Sequence, residues 1–305
     1  MALRALILGA AAGGGLPQWN CAAPNSAGFW GRGPRLEAAS QSSLAVSADG
    51  ARWVVLNASP DIRAQIMARP QLHPRDAGES GLRNSPIAAV VITNADIDHV
   101  AGLLSLRESQ AFDLWTTDAI AEILAANPIF DALNPALVRR RRLALDEAVE
   151  VTPGLSVELF AVPGKVPLFL EGETVETDLM GEQTAGVRLS AGGAAAFYIP
   201  GCARMTPELA ERLRGAALVF FDGTVFHDDE MIRLGVGTKT GRRMGHMAMA
   251  GPEGSLAAFA PLDVARKVYV HINNTNPVWN PASPERATVE AAGWEVGRDG
   301  MEITL

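Results

Sequence analysis

The sequence predicts a layered α/β fold, and both an αββα sandwich and a doubly wound sheet satisfy it. Short apolar runs bounded by Gly, Pro, Asn and Asp recur along all 305 residues, the pattern of strands in a buried sheet. Helical patterns alternate with them. Ser59-Pro60 and Thr206-Pro207 open two of these, each a hydroxyl N-cap followed by a proline at the first helical position, where the missing N–H costs nothing.

In chain order, 3–9 ("LRALILG") reads as a buried first strand and "GGGLPQWN" as the loop leaving it. A signal peptide is the alternative for this stretch, with its single Arg, short apolar run and small residues. Gly9, Gly13, Gly14 and Gly15 match neither the dinucleotide nor the P-loop spacing, so no nucleotide site is expected. Strands follow at 42–48, 52–57, 87–92 and 112–116, with helices at 60–69, 100–110, 117–126 and 134–140. The polar, turn-rich 71–86 is a loop. The second half repeats the mixture, with strands at 155–162, 185–190, 194–199, 217–222, 267–271 and 301–305. Its helices fall at 206–214, 253–260 and 284–292, and an acidic loop at 164–184.

Composition narrows the function classes. The chain is 48% hydrophobic and 20% charged with net charge −8, mean hydropathy +0.10 and a pI near 5.2. That is material for one large domain or two small ones. A general nucleic-acid binder would be basic, so "RRRR" at 139–142 reads as the solvated face of a helix. The longest apolar runs fall short of a membrane span, and a cytoplasmic location is expected. Cys21 and Cys202 are the whole cysteine complement, too few for a disulfide framework or a four-cysteine zinc site.

The stretch "TNADIDHVAGL" (93–103) concentrates the chemistry, because loops at strand ends are where α/β proteins place it. Asp98 and His99 keep the end of a His-x-His-x-Asp-His binuclear metal loop, while Asn94 and Asp96 stand at its two leading histidines. A structural alternative exists: turn formers at Asn94 and Asp96, an N-cap at Asp98, a first-turn residue at His99. Later segments follow the binuclear order. "AVPGKVP" (161–167) puts Lys165 where a Pro-Gly-His loop has its histidine, and Cys202 stands where a bridging aspartate would. "MGHM" then supplies His246 and "YVHINN" supplies His271.

With "LGAAAGGGLPQWNC" and "FFDGTVFHDDEM", these segments resemble the metallo-β-lactamase superfamily, in the branch of tRNA-maturing RNase Z and phosphonate-pathway phosphodiesterases. Within that branch the chain is similar to a family of pyrroloquinoline quinone (PQQ) biosynthesis. The resemblance implies one αββα sandwich over residues 1–305. It also implies a lost first metal pocket, since Asn94, Asp96 and Lys165 offer a cation an amide, one carboxylate and an ammonium. Asp98, His99 and His271 survive from the second pocket. Two histidines and one carboxylate with open positions are the ligand set of non-haem Fe(II) oxygenases.

The implied function is hydroxylation, with one mononuclear Fe(II) and O2 as cosubstrate, of the tyrosine ring in a Glu–Tyr cross-linked PQQ precursor or its peptide. Asn94, Asp96, Asp222 and His246 are then expected on the substrate side. His246 transfers protons or holds a phenol, or is a plain loop histidine. Asp222 reaches the metal or orients a histidine, or is a turn residue before Gly223. Arg242 and Arg243 are candidates to meet substrate carboxylates, whereas His227 and His73 read as surface residues. The family's zinc knuckle after "QWNC" would need cysteines where Ala23 and Ser26 stand, so no structural zinc is expected at the Cys21 loop. A non-catalytic carrier of PQQ or its precursor toward the periplasm is the main alternative. A phosphodiesterase would require the missing pocket. No nucleic-acid partner is expected, and a homo-oligomer remains open.

Overall fold

The computed structural model describes residues 2–33, 35–75 and 81–305. The first sheet holds β1 (Arg4–Gly9), β2 (Ser43–Ser47), β3 (Trp53–Leu56), β4 (Ile87–Val91), β5 (Phe112–Thr116) and β6 (Val138–Arg142). The second holds β7 (Ala148–Thr152), β8 (Leu155–Ala161), β9 (Ala185–Ala191), β10 (Ala194–Ile199), β11 (Val219–Asp222), β12 (Lys267–Val270) and β13 (Trp294–Val296). The last strand, β14 (Glu302–Thr304), returns to the first sheet. The spatial orders are β14-β1-β2-β3-β4-β5-β6 and β13-β12-β11-β10-β9-β8-β7. In each sheet an antiparallel group passes into a parallel one: β3 to β6 are parallel, and so are β10 to β13.

Successive strand side chains point to opposite faces, and this alternation sorts the core into three layers. Ala5, Ile7, Val54, Leu56, Phe220 and Val268 meet between the sheets. Leu6, Leu8, Trp53 and Val55 pack instead with Ile62 of the helix Ile62–Met67 and Ile120 and Leu124 of the helix Asp118–Ala126. Val219 and Phe221 pack with residues of the helices Pro207–Leu213, Ser255–Phe259 and Pro284–Ala291. Two sheets face to face with helices outside make an αββα sandwich, which excludes the doubly wound sheet.

The helix expected at 134–140 does not form, and "RRRR" is no helix face. The chain turns at Asn134, whose backbone carbonyl accepts from Leu137 and Val138, and then runs as the edge strand β6 beside β5. Good helix formers (Ala, Leu, Arg) misled the local reading, and pairing with β5 overrode it. The arginines are held from the sheet: Arg139 Nε donates to Asp113 Oδ1 at 2.6 Å, and Arg142 pairs with Asp118. A row of cations also blunts the open edge against further pairing. Two short edge strands, β7 and β13, were missed. The segment expected as a helix at 100–110 is a 3-10 helix at Ala101–Leu106, after a single α-turn at Ile97–Val100. Of the loop expected at 71–86, residues 76–80 lie outside the described residues.

Where the loops after β11 and β12 meet, Glu230 is buried. Its carboxylate accepts from the Phe226 and His227 N–H groups and the Thr275 hydroxyl, at 2.7, 3.4 and 2.6 Å. Burial outweighs these bonds and pushes its carboxyl up from the usual 4.5 to about 7. Between those values the folded protein holds more protons than the unfolded chain, so stability falls as pH rises through the window. Glu230→Gln is expected to remove that slope, changing little near pH 4.5 and stabilising above pH 7, as read from urea denaturation. A variant that keeps the parent's pH profile would show Glu230 to be charged in the folded protein.

Candidate metal centre

Strand ends bring the site residues to one edge of the sandwich. The loop after β4 carries Asn94, Asp96, Asp98 and His99, β11 ends on Asp222, and His271 follows β12. Backbone bonds clip the two sheets together here: Ala185 N–H to Thr93 O, Ile272 N–H to Ala10 O and Ala12 N–H to Ile272 O, each 2.9 Å. His271 sits at φ +54°, a region uncommon for non-glycine residues and recurrent at functional sites. Gly102 lets the turn bearing His99 press against the loop after β3, since a methyl group there would lie 2.1 Å from Ser59 O.

Asp98, His99 and His271 each offer a ligand atom, all within 4.8 Å of one another. His271 Nε2 lies 3.1 Å and His99 Nε2 3.9 Å from Asp98 Oδ2. His99 Nε2 is buried and has no hydrogen-bond partner. A buried imidazole nitrogen left unpaired is costly, and here it faces a carboxylate and a second imidazole. The donor set therefore fits a divalent cation, whose ligands lie about 2 Å from it.

The far side of each imidazole is fixed by an oxygen. His99 Nδ1–H donates to Asn94 Oδ1 at 2.7 Å; that atom also accepts from the Asp96 N–H, which identifies it as the amide oxygen. His271 Nδ1–H donates to Thr224 Oγ1 at 2.9 Å, and the Thr224 hydroxyl donates to Asp222 Oδ1 at 2.7 Å. With its proton on Nδ1, His99 turns its Nε2 lone pair inward, whereas His271 Nε2 shares with Asp98 Oδ2, 3.1 Å away, a proton that a bound cation would displace. The oxygens behind both rings are the outer support that metal-binding histidines use.

Asp222, His246 and His271 form a second cluster of the same size, but its geometry suits support rather than ligation. Asp222 is fully buried. Its Oδ1 accepts from the Thr224 N–H and hydroxyl, its Oδ2 from the Cys202 N–H and from His246 Nδ1–H at 2.7 Å. Four hydrogen bonds occupy the carboxylate.

The charges follow from this packing. Burial opposes ionisation of Asp98 and Asp222, yet their histidine neighbours outweigh it and hold both well below the usual carboxylate range. Burial lowers His99 to about 4 against the pull of Asp98, so it is neutral. For His271 burial acts the same way, but Asp98 and Asp222 outweigh it and raise its pKa. Burial and Asp98 together raise Asp96, with Lys165 opposing.

A β-lactamase superfamily domain profile matches residues 52–272. A coenzyme PQQ synthesis protein B from Ruegeria pomeroyi is 57% identical over 99% of this chain and 100% of its own. This chain belongs to that family. A Zn2+-bound PqqB crystal structure from Methylobacterium extorquens is similar at TM-score 0.96 and 54% identity, covering 99% of this chain and 100% of its own. A diphosphatase of the PhnP family shares the fold at TM-score 0.68 and 19% identity, over 100% and 98% of the two chains.

In this member of the family the expected site residues take different places. Asp98, His99 and His271 converge. His246 stacks on His271, ring centroids 5.1 Å apart, and lines a cleft of about 820 Å3 that Arg204 and Arg242 also border. Asn94 was expected on the substrate side; it lies behind His99 instead. Asp96 accepts from the Leu168 N–H at 3.3 Å. Cys202, at the bridging-aspartate position, is buried and its thiol donates to Arg204 O at 3.1 Å. Burial and Asp222 push that thiol up, so it stays protonated. At the Cys21 loop, Asn25 Nδ2 donates to Asn274 O and Asn276 O, both 2.8 Å, tying the loop to the segment after His271. Arg242 is engaged by Glu253, and Arg243 by Glu171. His73 is exposed. Sequence reasoning missed Thr224, the hydroxyl that links Asp222 to His271; its only signal is its place two residues after an aspartate that ends a strand.

Asn94→Ala removes the acceptor behind His99 and is expected to weaken divalent-metal binding about 10- to 100-fold. Asn94→Asp keeps an oxygen at that place and should recover most of the loss, as measured by equilibrium dialysis. Equal affinities for Asn94→Ala and the parent would leave the amide without a role in holding His99.

Proposed function

We propose that Asp98, His99 and His271 hold one ferrous ion, and that this chain acts in PQQ biosynthesis as an O2-using hydroxylase. Its substrate is the tyrosine ring of a Glu–Tyr cross-linked precursor. The observation that carries the proposal is the unpaired, buried His99 Nε2, converging with His271 Nε2 on one carboxylate while Asn94 and Thr224 hold the opposite ring nitrogens. When bound, iron with two histidines and one carboxylate supplies open positions for O2 and substrate.

The chain's own groups then have distinct tasks. His246 keeps its Nδ1 proton on Asp222, which leaves Nε2 as the atom able to take a phenolic proton at the cleft. Asp222 and Thr224 hold His246 and His271 in one register. Met205 and Met247 on the wall of the cleft offer an aromatic ring an apolar surface. On this reading residues 1–305 are one domain, because the proposed ligands come from both sheets.

The Zn2+ of the Methylobacterium extorquens relative supports divalent-metal binding in the family. Zn2+ outcompetes Fe2+ at most nitrogen and oxygen sites, so the test begins with metal-free protein loaded anaerobically with Fe(II). Oxygen uptake that depends on a Glu–Tyr cross-linked substrate, with hydroxylated product by mass spectrometry, is the expected result. Stoichiometric binding of PQQ with no oxygen uptake would replace the enzyme with the carrier.

A further inference from the structure

Three cations converge on one carboxylate beside the candidate metal centre. Lys165 Nζ lies 3.0 Å from Glu171 Oε1, Arg243 Nη2 3.0 Å from Oε2, and Lys239 Nζ 3.7 Å from Oε2. Lys165 packs on Gly245, the residue before His246: a methyl group on Gly245 would sit 3.2 Å from Lys165 Cγ. On the other side, the Leu168 N–H reaches Asp96. The cluster thus lies between the segment bearing Asp96 and the turn bearing His246.

The balance of groups is uneven. Asp96 offsets part of the charge of Lys165, but among the described residues Glu171 is the one acid paired with Arg243 and Lys239. Arg243 Nη1 is buried with no partner, although a guanidinium is built to grip a carboxylate through two N–H groups. The Glu171 side chain is itself only 8% exposed, but the residues leading to it are not so covered. Leu168, Phe169 and Leu170 before it are 60%, 45% and 49% exposed, so apolar packing contributes little to holding it down.

We propose that Lys165, Lys239 and Arg243 form a subsite for a substrate carboxylate, and that Glu171 occupies it as an internal stand-in until substrate displaces it. This deepens the proposed function, since it rests on a carboxylate-bearing substrate reaching His246. The group recognised is a flexible aliphatic carboxylate of glutamate-like length, the chemistry Glu171 itself presents. Displacement breaks only ion pairs and hydrogen bonds and re-forms them with the incoming carboxylate.

The probe is glutarate, with dimethyl glutarate as its uncharged counterpart, titrated calorimetrically into metal-free protein. A tethered competitor acts at an effective concentration of order millimolar. Glu171→Gln is therefore expected to bind glutarate about tenfold more tightly than the parent, and Arg243→Gln added to it should reverse the gain. Dimethyl glutarate should bind neither form. In the parent, saturating glutarate should speed amide hydrogen exchange across 168–172 as Glu171 lets go, a readout that needs no variant to fold. The proposal is overturned if Glu171→Gln binds glutarate no better than the parent, if Arg243→Gln leaves that binding intact, or if exchange in 168–172 is unchanged. With no metal or oxygen present, these outcomes are independent of the hydroxylase proposal, which stands or falls on oxygen uptake.

Discussion

Replacement of His99 by Ala is expected to lower divalent-metal affinity by more than about 100-fold, because even the loss of a group that only orients a ligand costs 10- to 100-fold. Asp98→Ala and His271→Ala should behave alike, since Asp98 Oδ2 is the atom both imidazoles face. Mass spectrometry of bound metal after anaerobic Fe(II) loading and dialysis checks all three. His73→Ala is the control: that histidine is exposed and its ring bonds to Met67 O at 3.0 Å, so the variant should retain metal as the parent does. Parental retention by His99→Ala would remove His99 from the ligand set.

Asp222→Ala is expected to have the largest effect on the fold. It strands the buried Cys202 and Thr224 N–H groups, frees the Thr224 hydroxyl and releases His246. Each buried donor left unpaired costs about 1–3 kcal/mol, and relief of the carboxylate's own burial returns part of that. A net loss of about 3 kcal/mol is expected, comparable to breaking a buried ion pair, or a fall in melting temperature of about 5–10 °C. Thermal denaturation of metal-free protein isolates this from metal loss. Metal affinity should fall as well, because His271 loses the support behind its ring. A variant that melts with the parent and keeps its metal would mean that Asp222 anchors nothing.

The contrast between Asp222 and Asn94 shows how far local sequence reaches. Both are expected as site residues, and each hydrogen-bonds a histidine of the candidate centre. Their roles depended on which atoms of distant segments come within about 3 Å: Cys202 and His246 for Asp222, 20 and 24 residues away, and the Nδ1 atom of His99 for Asn94. Motif spacing gives the order of such residues along the chain but not the direction in which each side chain turns. Cys202 illustrates the failure most clearly. Its position matches a bridging ligand, yet its sulfur turns to Arg204 O.

By itself, the sequence determined the strands whose alternation buries one face, such as Ala5 and Ile7 against Leu6 and Leu8, because period-two patterning is local and repeats. Through its resemblance to the metallo-β-lactamase superfamily it also pointed to a first pocket without histidines and to Asp98, His99 and His271 as candidate ligands, since residue identity fixes donor chemistry. The tertiary structure decided the rest. It made β6 a strand by giving it β5 to pair with, and it set Glu171 among three cations drawn from segments up to 72 residues away. It also joined the two sheets through Thr93–Ala185 and Ala10–Ile272. The physical reason is range: propensity and periodicity act over a few residues, whereas a metal-sized gap between Asp98 and His271, 173 positions apart, exists only once the two sheets have packed.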